Sequence, residues 1–174
     1  MLKMAATTDQ QQWLDRIWAL HSGPVFAYAA RRVGRESAED VVADTFVVAW
    51  RHREQRPQQD LPWLLGVARR VIGEAYRADE RWQRLQDRAA AGGTTVETAD
   101  ATRALAAREA LAALDEPERE VLLLSAWEGL SSRQAAAVLG TSPAAYRMRL
   151  GRARRHLRHA MADAGLTDAT AEEA

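Results

Sequence analysis

The sequence contains no cysteine, which excludes disulfide bonds, thiolate metal sites and thiol catalysis. Its four histidines, His21, His52, His156 and His159, lack the paired spacing that is typical of a zinc site. No apolar run approaches the roughly 20 residues that a membrane-spanning helix needs, and the N-terminus lacks the charged start and apolar core of a signal peptide. We therefore expect no cofactor, no metal and no membrane segment, and a cytoplasmic location.

An excess of positive charge is also absent, because 24 Lys and Arg residues balance 24 Asp and Glu residues. Any contact with nucleic acid must therefore be local rather than a property of the whole molecule. Lys3 is the only lysine. Together with the heavy use of alanine, this indicates a GC-rich genome as much as it indicates chemistry that requires guanidinium groups.

Glycine and proline are scarce within the periodic stretches, and no alternating Val, Ile and Thr run is bounded by turns. This pattern predicts an all-α protein. The apolar period lapses around Ala91–Thr95, where small and polar residues favour a flexible connection. We predict two small helical domains at 9–85 and 103–160, a flexible linker at 86–102 and a disordered tail at 161–174.

The N-terminal half has the apolar spacing of three helices, at 9–33, at 36–54 and from 61 to 77 with an extension towards 85. The second has an acidic stripe of Glu36, Asp40 and Asp44 beside its apolar face. That face consists of Val41, Val42, Thr45, Phe46 and Ala49. On the third, an inward row of Leu64, Val67, Val71 and Ala75 leaves four arginines elsewhere, namely Arg69, Arg70, Arg77 and Arg81.

The C-terminal half carries strong signals of helix starts and stops. Asp115 with Glu118 resembles a capping box, and Ser131 with Gln134 opens the next helix in the same way. Gly140 stops that helix, and Ser142 followed by Pro143 starts another. Two short helices that flank a tight turn with a glycine are the outline of a helix-turn-helix.

The second of these helices has an apolar row and a basic remainder. The apolar row is Tyr146, Leu150, Ala153 and Leu157, and six arginines with no acidic residue occupy the rest of 143–159. In a neutral protein this is a local phosphate-binding pattern, and Arg147 and Arg149 near the helix start are placed to reach base edges. A helical hairpin with a solvated arginine face is the alternative, which the caps and the turn glycine disfavour.

Two sets of motifs resemble the extracytoplasmic-function sigma factors of the sigma-70 family. The segments 114–124, 128–131 and 147–154 resemble sigma domain 4. Upstream, the segments 38–46, 49–51 and 62–70 resemble sigma domain 2. The two sets occur in the family's order with a linker between them, and they cover most of residues 10–160.

The resemblance implies a sigma factor that binds core RNA polymerase and promoter DNA, with an anti-sigma protein as a regulatory partner. It implies that the polymerase is contacted through Glu39, Asp40 and Asp44. The implied contacts with the −35 duplex are Ser142, Ala144, Arg147, Arg149, Arg152 and Arg154. The implied contacts with the single-stranded −10 element are Arg69, Arg70, Tyr76, Arg77, Arg81 and Trp82, with the segment from His52 to Asp60 beside them.

Two other classes of protein compete with this interpretation. A stand-alone helix-turn-helix repressor or activator would share the C-terminal pattern, but it gains most of its affinity from phosphate contacts, whereas a factor delivered by the polymerase does not need strong affinity for free duplex. The N-terminal match, the linker and the neutral charge favour the sigma factor. An enzyme acting on nucleic acid would need a metal set, a phosphate loop or a nucleophile with its base, and none is recognisable. We therefore expect no catalytic activity and no catalytic residues. Trp63 is expected in the core, and Tyr76 and Trp82 are better candidates for stacking on bases.

Overall fold

A computed structural model describes the backbone of residues 2–83 and 109–163, and the side chains of residues 10–77 and 109–163. The predicted linker at 86–102 and most of the predicted tail at 161–174 lie outside the described residues. So do the side chains of Arg81 and Trp82, although both residues belong to a described helix.

Regular structure in the described residues is entirely helical, which confirms the predicted fold class. The chain divides into two compact units, the first formed chiefly by residues up to Asp87 and the second chiefly by residues from Arg88 onward. The helices are α1 (Leu2–Arg51), α2 (Asp60–Gln83), α3 (described at 109–112), α4 (Glu116–Ala126), α5 (Ser132–Leu139) and α6 (Pro143–Asp163), with a single 3-10 turn at Arg53–Gln55.

Helix α1 is broken at Gly34, where φ is 79° and ψ is 166°. This backbone conformation is almost restricted to glycine, because a side chain would clash there. A straight helix would hold residues 18 and 46 about 42 Å apart, yet the rings of Trp18 and Phe46 lie 4.7 Å apart. The chain therefore folds back at Gly34 into a first arm, residues 2–33, and a second arm, residues 35–51, as the predicted helices at 9–33 and 36–54 require.

The core of the first unit is built by both arms of α1 and by α2. All five residues of the predicted apolar face of the second arm are buried, namely Val41, Val42, Thr45, Phe46 and Ala49. From α2, the buried side chains include Leu64, Leu65, Val67, Ala68 and Ile72. The predicted inward row on α2 is wrong at its C-terminal end, where Val71 is half-buried and Ala75 is exposed. The buried face turns instead towards Leu65, Ala68 and Ile72, because these side chains face the arms of α1.

In the second unit, side chains bonded to backbone groups fix the start of α4. The carboxylate of Asp115 accepts a hydrogen bond from the backbone N–H of Glu118 at 2.8 Å, which confirms the predicted cap. The guanidinium of Arg119 donates to three carbonyl oxygens that precede α4, those of Leu111, Ala112 and Leu114, at 2.8–3.0 Å. The end of α3 is thereby tied to the first turn of α4.

The predicted stops and starts around α5 and α6 are also present. The backbone N–H and hydroxyl of Ser131 donate to the Gln134 side chain at 2.9 and 2.8 Å, and the Gln134 N–H donates back to the hydroxyl. Gly140 has a φ of 62°, so the chain can turn sharply after α5. The hydroxyl of Ser142 accepts from the N–H of Ala145 at 3.1 Å, and Pro143 is the first residue of α6. These contacts place α5 and α6 on either side of a short turn.

Candidate nucleic-acid interface

Helix α6 separates a buried row from a basic surface. Tyr146, Leu150 and Ala153 are buried as predicted, whereas Leu157 is only half-buried. The six residues that the resemblance assigns to the −35 duplex are all exposed, namely Ser142, Ala144, Arg147, Arg149, Arg152 and Arg154. Arg155 and Arg158 are exposed as well. The helix therefore offers an arginine surface to any partner that approaches from outside the unit.

Two polar contacts anchor α6 to α4. The hydroxyl of Tyr146 donates to the carbonyl of Val121 at 3.0 Å inside the unit. Ten residues later, Nδ1 of His156 lies 2.8 Å from one carboxylate oxygen of Glu118 and 2.9 Å from the other. Because ten helical residues span about 15 Å, α6 is held at two separated points. The arginine surface is thus carried on a fixed support.

The environment of Tyr146 is mostly apolar, and this affects its ionisation. Burial raises the pKa of Tyr146 above its ordinary value, and the nearby charge of Glu120 raises it further, while a hydrogen bond with Ser125 and the charge of Arg154 lower it. Burial has the largest effect, because an ionised phenol would lose its hydration inside the unit. The phenol therefore stays protonated and can donate to Val121.

Between Arg147 and Arg149 lies Met148, whose side chain is 74% exposed. An exposed methionine among arginines adds an apolar contact to a surface that otherwise offers charge, and sequence reasoning did not assign it a role. Ser142 has a structural role in addition to the predicted one, because its hydroxyl already caps α6. Its exposed position at the helix start nevertheless leaves it on the arginine surface.

In the first unit, α2 carries the second group of predicted contacts. Arg69, Arg70 and Arg77 are exposed, and the guanidinium of Arg70 donates back to the carbonyl of Gly66 at 3.3 Å. The ring of Tyr76 is half-exposed, and its hydroxyl donates to the carbonyl of Arg32 in the first arm at 2.7 Å. All four predicted arginines thus lie on α2, and the three whose side chains are described are exposed on the helix that carries this accessible aromatic ring.

A cavity of about 260 Å³ opens beside these residues in the first unit. Its lining combines the end of the second arm, the 3-10 turn and α2, and consists of Val48, His52, Gln55, Trp63, Val67 and Arg70. Cavities for drug-sized ligands start at about 300 Å³, so this one suits a smaller group. Sequence reasoning marked the segment from His52 to Asp60, which contains the lining residues His52 and Gln55. It missed Val48 as a lining residue, because no local pattern shows which side chains from two elements share a cavity.

Trp63 differs partly from its expected core position. Its ring lies 6.5 Å from the ring of the buried Trp13, which is the expected packing, but Trp63 is only half-buried and also lines the cavity. The guanidinium of Arg56 lies 5.0 Å from the ring of Trp13 on the same side of the unit. Trp63 therefore packs against the core with part of its side chain and lines the cavity with the rest.

The predicted acidic stripe lies on the exposed face of the second arm. Glu36, Glu39, Asp40 and Asp44 are all exposed. Val47, one turn beyond Asp44, is exposed as well, and Trp18 of the first arm is 47% exposed where it packs on Phe46. A partner of this face would meet carboxylates with apolar side chains beside them.

The described part of the chain has neither a candidate metal site nor a candidate membrane span. Residues 10–77 and 109–163 hold no cluster of three His, Asp or Glu side chains able to bind a metal ion. Across the same part of the chain, the helices lack the combination of length and apolar character that a membrane crossing requires.

Comparison with known proteins agrees with both groups of motifs. The family model for Sigma-70 region 2 matches residues 17–83, and the model for Sigma-70, region 4 matches residues 104–157. The RNA polymerase sigma factor CnrH of Cupriavidus metallidurans is 35% identical over an alignment that covers 90% of this chain and 91% of CnrH. The ECF RNA polymerase sigma factor SigL of Mycobacterium tuberculosis is 33% identical over an alignment that covers 84% of this chain and 88% of SigL.

Among solved structures, that of CnrH in complex with the cytosolic domain of CnrY matches with a TM-score of 0.62 and 32% identity, over 88% of this chain and 90% of that one. The two matched regions occur in the family's order, and the relatives match over most of their length. The chain therefore belongs to the extracytoplasmic-function sigma factors of the sigma-70 family, which bind core RNA polymerase and direct promoter-specific transcription initiation.

Proposed function

We propose that this sigma factor reads its promoter with two separate surfaces, the −35 duplex with α6 and the −10 strand with α2. The observation that carries the proposal is the arginine surface of α6, a helix that Tyr146 and His156 anchor to α4. In this proposal residues 9–85 form sigma domain 2, residues 103–160 form sigma domain 4, 86–102 is a flexible linker and 161–174 is a tail.

The −35 contacts divide by position along α6. Residues near the start of a recognition helix reach base edges in the major groove, whereas later ones meet the phosphate backbone. Arg147 and Arg149 are therefore the candidates for base contacts, and Arg152 and Arg154 for phosphate contacts. Ser142 and Ala144 lie at the start of the helix, where the backbone approaches the DNA.

The −10 contacts combine charge with aromatic rings. Exposed Arg69, Arg70 and Arg77 can hold the phosphates of a single strand, and half-exposed Tyr76 can stack on a base. Arg81 and Trp82 follow on the same helix and complete the proposed set. The 260 Å³ cavity can accept one unstacked base. Its lining includes Trp63, Val67 and Arg70.

Docking on the polymerase is assigned to Glu39, Asp40 and Asp44. Their exposure on one arm supports an electrostatic contact with a basic surface of the core enzyme, and such contacts guide association. Regulation by an anti-sigma protein is supported by CnrH, which has been solved in complex with the cytosolic domain of CnrY. The protein acts in the cytoplasm in this proposal, and it contributes no catalytic residue to RNA synthesis.

The experiment that tests this proposal is run-off transcription with core RNA polymerase, combined with duplex binding by the protein alone. We expect promoter-dependent transcripts in the presence of core enzyme and weak binding of free duplex, because the chain has no net positive charge to support its local arginine surface. Transcripts that fail at every promoter tried, together with tight binding of free duplex, would instead indicate a stand-alone repressor or activator.

A matched pair of variants tests the docking surface in the same assay. Asp44→Arg should reduce association with core enzyme in the absence of DNA, because a reversed charge opposes the basic partner surface. Asp163→Arg makes the same change of charge at an exposed position at the end of α6 and should leave association unchanged. Equal association of both variants would remove the acidic stripe from the interface.

A further inference from the structure

Tyr76 combines an accessible ring with an occupied hydroxyl. The side chain is 49% exposed, and its hydroxyl donates to the carbonyl of Arg32 at 2.7 Å, a typical length for a strong hydrogen bond between oxygens. The two residues are 44 positions apart in sequence. The contact therefore fixes the exposed half of α2 to the end of the first arm.

The carbonyl of Arg32 lies near the end of the first arm, two residues before the break at Gly34. Carbonyls at the end of a helix are commonly bonded by groups from outside the helix, and the Tyr76 hydroxyl donates to this one. Since a phenol has one hydrogen to donate, Tyr76 cannot also donate to the edge of a base. Its exposed ring is the largest group that it presents to a ligand.

The surroundings of the ring are those of a single-strand binding surface. Tyr76 follows the buried row of Leu65, Ala68 and Ile72, at the point where the core gives way to solvent. The next residue, Arg77, is exposed, and its guanidinium lies over Gly73 on the same helix. Cationic groups beside an accessible ring hold phosphates while a base stacks, and the stacking tolerates any base because every base has a flat face.

We propose that Tyr76 is a stacking platform held in place by Arg32, and that it adds the same affinity for the −10 strand whichever base it meets. This inference rests on the proposed reading of the −10 strand by α2. Arg32 acts through its backbone carbonyl and is a positioning residue, whereas Tyr76 touches the strand. Residues of the first unit other than Tyr76 then discriminate between the bases of the −10 strand.

The test compares Tyr76→Phe, Tyr76→Ala and Arg77→Ala in holoenzyme assembled with core polymerase. Fluorescence anisotropy measures binding of single-stranded oligonucleotides that carry the region upstream of mapped transcript starts, with each base of the −10 element replaced in turn. Thermal unfolding of each free variant confirms that it folds.

We expect Tyr76→Ala to weaken binding about tenfold, by the same factor for every oligonucleotide, because the stacked ring is lost. Tyr76→Phe keeps the ring and loses the hydrogen bond, so it should weaken binding by a smaller factor of about two to three. A loss that depends on the base, a Phe variant as weak as the Ala variant, or a Phe variant that binds like the wild type would overturn the inference.

The same experiment separates this inference from the proposed function. If Arg77→Ala weakens strand binding and Tyr76→Ala does not, the stacking platform is wrong and the reading of the strand by α2 stands. If neither variant changes strand binding, both the platform and the assignment of the −10 element to α2 are overturned.

Discussion

The two units of this sigma factor hold their helices together in different ways. In the first unit, rings make many of the contacts between elements: Trp18 packs edge-on against Phe46 with ring centroids 4.7 Å apart, and the rings of Trp13 and Trp63 lie 6.5 Å apart. In the second unit, side chains donate to backbone carbonyls, as Arg119 and Tyr146 do. The first unit therefore relies chiefly on contacts between rings, with the bond from Tyr76 to Arg32 as an exception, whereas the second adds several directional bonds to its packed core.

The two arrangements leave different surfaces. In the first unit, the packed rings leave a cavity whose lining includes half-buried Trp63 and exposed Arg70. Hydrogen bonds fix distance and direction, and in the second unit they hold α6 against α4 and so help to decide which of its arginines face outward. In the proposed function, the first surface binds a single strand and the second binds a duplex.

The largest expected effect is the loss of the three bonds made by Arg119. Arg119→Ala should lower the free energy of unfolding of the second unit by about 2–3 kcal/mol, because a charged donor to several carbonyls is removed. Hydrogen exchange at 109–126, followed by mass spectrometry, measures the local loss. Arg133→Ala, at an exposed position of α5, is the control and should leave exchange unchanged. Equal exchange in the two variants would mean that packed area holds this unit too.

A second prediction concerns Tyr146, where the directional bond lies inside the unit. Tyr146→Phe should cost about 1 kcal/mol at neutral pH, the usual contribution of one hydrogen bond. Burial raises the pKa of Tyr146 above the ordinary value of 10.0. The wild type therefore keeps this contribution below pH 10.0 and loses it as pH rises through the raised pKa of the folded state.

Urea unfolding of both proteins at pH 8, 10 and 11 checks this prediction. The difference in the free energy of unfolding between wild type and Tyr146→Phe should shrink as pH increases, because only the wild type ionises at this position. Tyr28 and Tyr76 are present in both proteins, so their ionisation cancels in the difference. A gap that stays constant to pH 11 would show that the phenol does not control the alkaline stability of the second unit.

The smallest expected effect is a gain of stability in the first unit. Thr45 is fully buried, and its hydroxyl has no hydrogen-bond partner among the residues that the structure describes. Thr45→Val replaces the hydroxyl by a methyl group of similar size and should raise the free energy of unfolding by about 1 kcal/mol, because an unpaired buried hydroxyl is removed. Thr45→Ser keeps the hydroxyl and removes the methyl group, so it should be less stable than the wild type. Chemical denaturation of the wild type and the two variants measures the three free energies of unfolding. A Val variant less stable than the wild type would show that the Thr45 hydroxyl stabilises the first unit.

Local signals in the sequence predicted most of the second unit correctly. The caps at Asp115, Ser131 and Ser142 and the turn at Gly140 all have the expected hydrogen bonds or dihedral angles. These features depend on residues three or four positions apart, so a pattern in the sequence reports them directly. The exposure of the arginines on α6 followed from the same periodicity.

Contacts between distant positions could not be predicted in this way. The bonds from Arg119 to the end of α3, from Tyr76 to Arg32 and from His156 to Glu118 join elements whose approach depends on the tertiary fold. The predicted inward row of α2 was wrong at Ala75 for the same reason. Helical spacing predicts which residues share a face of α2, but it does not predict how far along that face the packed neighbours extend. The roles of individual arginines in binding DNA stay predictions.

The length of α6 limits how much of it can select a promoter. Its 21 residues span about 31 Å, whereas the major groove is about 12 Å wide. If α6 crosses the groove with its first turns at the bases, as proposed, its far end lies over the sugar-phosphate backbone. Arg155 and Arg158 are exposed on that far end. Neutral substitutions there would weaken the attraction to DNA without touching the base contacts, so evolution can adjust the affinity of this protein for DNA without changing which genes it selects.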